Sequence, residues 1–189
     1  GEQQKAGKKP RMFPVAGELD DNGSVHVECD VGHKTIVVYD SRRYQVLVHS
    51  AARAFLDGYT NEVVAVMSSA LERAYEFYIR VSCRAKGVAA EMIEVAWKGV
   101  AAQSERQYGA FQFLYLMDQR KPFQLDSQIT DVRNKVIHRG KIVREHEALE
   151  FAEKVFQIIR ELECILKATF PAFAAEESER ELKAQESKI

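Results

Sequence analysis

From Tyr44 to Leu166 apolar residues return every three or four positions, and no other feature restricts the fold so much. Side chains three and four apart share one face of an α-helix, whereas a strand changes face at every residue. Tyr44, Leu47, Val48, Ala51, Ala52, Phe55 and Leu56 keep the helical period until Gly58 stops it. A longer stripe runs through Val63, Val64, Met67, Ala70, Leu71, Ala74, Tyr75, Tyr78 and Ile79, with Thr60 placed to cap it and Gly87 to end it. The same reading predicts helices over 89–101 and 105–118. It also predicts a short helix capped by Asp126 or Ser127 and stopped at Gly140, then a long one from Glu145 to about Thr169 that Pro171 ends. The convincing strand signal is "SVHVECD" followed by "KTIVVYD", which reads as a β-hairpin.

The expected chain is therefore mainly α. A polar arm covers 1–23, a β-hairpin 24–40, an up-and-down helical bundle 41–170 and a charged tail 171–189. The tail sequence "EESERELKAQESKI" is charged and helix-prone but has almost no apolar face, which predicts a frayed or partner-dependent end.

Twenty-seven basic and 28 acidic residues leave a net charge of −1, so nothing in the overall field draws in nucleic acid, and any such attraction must be local. The three cysteines, Cys29, Cys83 and Cys164, are dispersed and odd in number, which fits a reducing compartment better than a disulfide framework. No apolar run is long enough for a membrane span, and the start "GEQQKAGKKPR" lacks the apolar core of a signal peptide. The expectation is a soluble cytoplasmic protein without a membrane partner. Gly1 in place of Met suggests a processed terminus or a fragment of a longer chain. His26, Cys29 and His33 resemble a metal set only superficially: strand alternation turns His26 away from Cys29, and a fourth ligand is missing. No metal and no cofactor are expected.

The chemistry concentrates in "DVRNKVIHRGKI", Asp131 to Ile142. Between 120 and 144 stand Arg120, Lys121, Arg133, Lys135, Arg139, Lys141 and Arg144, opposed within the segment by Asp126 and Asp131 alone, a local excess of five. Arginine grips phosphate oxygens through paired hydrogen bonds, and lysine attracts them as a point charge. His138 falls in the last turn of its helix, where unpaired carbonyls favour an imidazolium. A histidine able to exchange protons beside a phosphate-binding arginine has the makings of RNA cleavage. In a regular helix, however, Arg133 and His138 point about 140° apart, while Asn134 and His138 share a face. A loosened helix end, a long reach by the arginine or a second copy of the chain would bring the two together.

Arg133-Asn134 followed by three residues and His138, within a helical bundle, resembles the R-x4–6-H motif of the HEPN superfamily. The stretch "NEVVAVMSSALERAYEFYIRV", with Ser68 four residues before Glu72, looks like the first core helix of such domains. The resemblance spans about 44–170. It implies a homodimer with a composite, metal-independent ribonuclease site that leaves a 2′,3′-cyclic phosphate and a 5′-hydroxyl. Toxin, abortive-infection or phage-defence roles are also implied, with an antitoxin or defence-complex partner. On this reading Arg133 stabilises the phosphate, His138 is the acid/base and Asn134 orients the histidine or the substrate. Lys135, Arg139 and Lys141 attract the RNA backbone, and Glu72 lines the cleft. Members controlled by a nucleotidyltransferase antitoxin commonly have a tyrosine two residues after the histidine; this chain has Gly140 there. The alternatives are a non-catalytic module whose basic face binds nucleotide or nucleic acid, and a defence-complex subunit that a partner activates. Trp97 and "FQFLYLM" read as core or dimer interface.

Overall fold

The computed structural model describes residues 17–18, 24–38 and 41–186. Most of the expected arm and the last two residues of the expected hairpin segment lie outside these. The chain divides into two units, one containing the hairpin and the other spanning Ser41–Lys183. In the hairpin, β1 (Ser24–Glu28) pairs antiparallel with β2 (Lys34–Val38), in a register that sets Val25 opposite Val37 and Glu28 opposite Lys34. The backbone amide of His33 donates to Cys29 Sγ at 3.3 Å across the turn.

After the hairpin the chain forms α1 (Arg43–Leu56), α2 (Thr60–Ala85), α3 (Ala90–Lys98), α4 (Ser104–Gln119), α5 (Ser127–Arg139), α6 (Glu145–Thr169) and α7 (Pro171–Glu186). The result is a mainly helical, up-and-down bundle preceded by a β-hairpin, as the periodicity requires. The central element is α2, against which α1, α3, α4, α5 and α6 all pack. Its apolar stripe is buried almost throughout, from Val63 to Val81. On one side α2 meets Phe111 and Tyr115 of α4 in an aromatic cluster: Tyr75 stacks on Phe111 at 4.3 Å, and Phe123 closes edge-on at 4.9 Å from Phe111. Such pairs add to the area they bury, and their fixed geometry holds α2 and α4 in register. The run "FQFLYLM" splits accordingly: Phe111 and Tyr115 are core, while Phe113, Leu116 and Met117 face outward.

Two local expectations need correction. Thr60 does not cap α2; it is the first helical residue, and its hydroxyl donates to the Val143 carbonyl at 2.8 Å, tying the start of α2 to the loop before α6. The second concerns 171–189, which is not frayed as far as Glu186. Pro171 starts a new helix instead of merely stopping the old one, as its fixed φ allows at a first helical position. This helix, α7, buries Ala174 and Glu177 and is fastened by charge: Arg180 bonds Glu177 and Glu94, Ser178 Oγ accepts from Arg42 at 2.8 Å, and Arg84 pairs with Glu176 at 3.7 Å.

Candidate active site

Helix α5 is placed by few groups. Asp126 Oδ1 accepts from the Gln128 amide at 2.9 Å and caps the start. Ile129 and Val136, two turns apart, are its buried residues and set its rotation. Gly140 ends it in the left-handed region at φ 64°, letting the Lys141 amide return to the Lys135 carbonyl at 3.0 Å. The following loop is then held to α2, because the Asn61 side-chain amide donates to the Lys141 carbonyl and accepts from the Val143 amide, both at 3.0 Å. The motif and α2 therefore form one rigid piece.

This rotation turns Arg133 toward α2 and the start of α4. Its Nη2 lies 3.4 Å from Glu72 Oε1 and 3.2 Å from Ser104 Oγ, and its Nη1 lies 3.4 Å from Asn134 Oδ1. The contact to Glu72 is long, since guanidinium bonds to carboxylate normally close to about 2.7–2.9 Å, and the one to Asn134 is long as well, while that to Ser104 is at the upper end of the ordinary range. Arg133 is thus positioned but not consumed, and a quarter of its side chain is open to solvent. Glu72 and Arg133, 61 residues apart, face each other at the mouth of a cavity of about 130 Å³. The cavity floor is Leu71, Tyr75 and Ile129, all buried, and its sides include Tyr108 and Leu125. Burial pushes the Tyr75 phenol well above its ordinary pKa, with Tyr108 and the charge of Glu72 adding to the effect.

His138 stands apart from this group. It is exposed, and its imidazole makes no hydrogen bond to any described residue. Helix α5 stays regular through Arg139, so its end does not loosen to bring the imidazole to Arg133. Of the cations expected to attract a phosphate backbone, Arg139 is exposed and without an ion pair among the described residues. Lys135 has only a loose contact with Asp131 at 3.9 Å. Lys141 is engaged: Glu147 binds its ammonium at 2.7 Å and also takes the Arg144 guanidinium at 3.3 Å. Those bonds hold the Glu147 carboxyl down at about 2. The local excess of five is therefore an overestimate, since Glu72 and Glu147 come from outside the segment to oppose it.

Sequence reasoning missed Ser104, Tyr75 and Tyr108 as neighbours of the motif. Tyr75 was legible as an apolar-face residue, but Tyr108 was not singled out, and nothing local in the sequence links Ser104 to an arginine 29 residues later. A larger cavity, about 370 Å³, lies between α1, α2 and α6; it is almost wholly apolar, with Glu153 as the one charged residue in its lining. Among the described residues no three His, Cys, Asp or Glu side chains are grouped to hold a metal ion, and no helix is long and apolar enough to cross a membrane. The chain matches no protein-family model, no curated protein and no solved structure.

Proposed function

We propose that this chain is a HEPN-type endoribonuclease that cleaves RNA without a metal ion, as a homodimer, in a toxin or phage-defence setting. The observation that carries the reading is the division of labour along α5. Arg133 is held at a cavity mouth by three contacts of 3.2–3.4 Å, and the side chain of His138 is left exposed and unpartnered on the next turn. A structural arginine and histidine would have tight partners; these two are arranged for something outside the chain.

In the reaction the ribose 2′-oxygen forms a bond to phosphorus and the bond from phosphorus to the 5′-oxygen breaks. His138 takes the 2′-hydroxyl proton or delivers one to the departing 5′-oxygen. Arg133 holds the non-bridging oxygens as charge builds on them, exchanging its contacts with Glu72 and Ser104 for shorter ones to phosphate. Asn134 sits between them, with its Oδ1 toward Arg133 and its position shared with the His138 face. Since one helix directs the two groups apart, the arginine of one copy and the histidine of another complete the centre. Gly140 fits this reading as well: a tyrosine at that left-handed position would be strained, so regulation by modifying such a residue is not open to this chain.

The test is to mix Arg133→Ala and His138→Ala chains. Each alone is inactive, and a mixture that exchanges subunits regains part of the wild-type cleavage because one intact arginine–histidine pair is restored. A wild-type protein that leaves RNA uncut, or a mixture as dead as its components beside an active wild type, contradicts the composite centre. A second reading, activation by a defence-complex partner, is favoured by the outward Phe113 and Met117 of α4 and Met92 and Val95 of α3, each more than half exposed. It is distinguished by cleavage that appears only when such a partner is added.

A further inference from the structure

We infer that the cavity beside Arg133 is a subsite for one unstacked pyrimidine base of the RNA, next to the phosphate that Arg133 holds. The placement of that phosphate rests on the ribonuclease reading; the fit of the base does not.

Size is the first argument. At about 130 Å³ the cavity is close to the roughly 150 Å³ apolar cavity that takes up benzene, so a single six-membered ring fills it, whereas the fused rings of a purine would project from its open side. Wall chemistry is the second. Leu71, Ile129 and Leu125 supply aliphatic contact, and Tyr75 and Tyr108, with ring centres 5.5 Å apart at 41°, supply aromatic surface. Single-stranded RNA is read in this way, by splaying a base out against aromatic and apolar side chains.

The third argument is an unmet hydrogen bond. Tyr75 is 3% exposed, and its hydroxyl is sealed from solvent with no partner. Buried hydroxyls are almost always paired, so this one, in a residue of the cavity lining, is a donor whose bond a base pressed against Tyr75 would supply. A pyrimidine offers an acceptor at O2, a carbonyl that uracil and cytosine share, to which the phenol donates. Ser68 and Thr130, also in the lining, belong to facing helices. The Ser68 hydroxyl already donates to the Val64 carbonyl at 2.7 Å, so it remains as an acceptor for the N–H groups of the pyrimidine edge. Base and phosphate would enter together, because Arg133 and Glu72 belong to the same cavity lining.

The experiment titrates the four nucleoside 3′-monophosphates into wild type, Tyr75→Phe and Thr130→Trp, and separately maps cleavage positions in a mixed RNA. Tyr75→Phe keeps the packed ring and removes only the hydroxyl. Thr130 is exposed on α5, so Thr130→Trp crowds the cavity without a demand on the core. Uridine and cytidine phosphates should bind at least roughly tenfold tighter than the purine nucleotides, with Tyr75→Phe losing about tenfold and Thr130→Trp losing the preference entirely. Cuts should fall beside pyrimidines. Equal affinity for all four nucleotides, or a preference that survives Thr130→Trp, overturns the subsite. The two readings fail separately. Pyrimidine-selective binding by a protein that never cuts RNA keeps the subsite and removes the nuclease, whereas cutting without base preference, unaltered in Thr130→Trp, does the reverse.

Discussion

Helices α5 and α7 look alike as sequence and behave oppositely in the fold. Both are short and rich in charge, and both are poor in apolar residues. In α7 the buried Glu177 and its partner Arg180 are tied into the protein, while Glu179 and Lys183 pair on the surface. Arg180 reaches Glu94 at 2.5 Å and Glu177 at 3.1 Å, and Glu177 is 3% exposed. Arg80 of α2 completes that group, bonding Glu76 and Glu94 at 2.8 and 2.6 Å with its guanidinium 5.5 Å above the Trp97 ring. In α5 the start of the helix is fastened by Lys154, which bonds Gln128 and the cap Asp126, but further along the contacts of Arg133 and Lys135 are 3.2 Å or longer, and the side chains of His138 and Arg139 have none among the described residues. What separates a structural charge from an available one is whether a partner of opposite sign, remote in sequence, closes to normal bonding distance.

The comparison breaks first at Arg80. Removing one member of a buried ion pair leaves the others desolvated, at a cost of about 3–5 kcal/mol. Arg80→Ala should show that loss in urea denaturation. A change below about 1 kcal/mol would mean that the polar belt between α2, α3 and α7 is ornamental.

Next is Glu181, whose Oε2 is sealed without a partner. Burial, then Glu177 and Glu76, raises its carboxyl to about 7, against the opposing pull of Arg42 and Arg80. The folded state therefore prefers the neutral acid. No cost arises below the unfolded value of 4.5; stability falls as pH rises from there to about 7 and is level above, a change of about 3 kcal/mol. Glu181→Gln should flatten that slope and be the more stable protein at pH 8. Glu94 works in the other direction: its bonds to Arg80 and Arg180 hold it at about 2, so its contribution is present above 4.5 and is lost as pH falls toward 2. A stability maximum in mildly acid solution, moved upward by Glu181→Gln, is the combined signature.

Arg133→Ala should have the smaller stability effect, under about 1 kcal/mol, because its contacts are long and solvent-screened. The finest distinction lies between two cations of the motif. Arg139→Ala should lower the salt dependence of RNA binding by close to one phosphate contact, a slope change of about 0.7 for a single strand. Lys141→Ala should change it less, since Glu147 already holds that ammonium. Equal changes would mean that the Lys141–Glu147 pair opens on binding.

Helix positions were legible in the sequence because a stripe at i, i+3 and i+4 is local information, and the apolar faces of α1, α2 and α6 are unbroken. The motif's own helix was legible from Asp126 and Gly140. The helical tendency of α7 was legible too, but not its docking, since its attachments come from Arg42, Arg84 and Glu94, far back in the chain, and no apolar stripe announces them. The cavity was half legible. Glu72 could be named from its spacing to Ser68, but its meeting with Arg133 and Ser104 depends on how three helices pack. The unmet hydroxyl of Tyr75 is likewise invisible in a residue that reads as ordinary core.

The central claim is that the exposed His138 does acid–base chemistry with Arg133. The direct measurement incubates wild type and His138→Ala with mixed RNA in EDTA and reads the product ends. Cyclic-phosphate and 5′-hydroxyl ends from wild type, with a loss of about 10²–10⁴ in rate for a variant that still folds and dimerises, is the expected result. Cleavage by His138→Ala at the wild-type rate would contradict it.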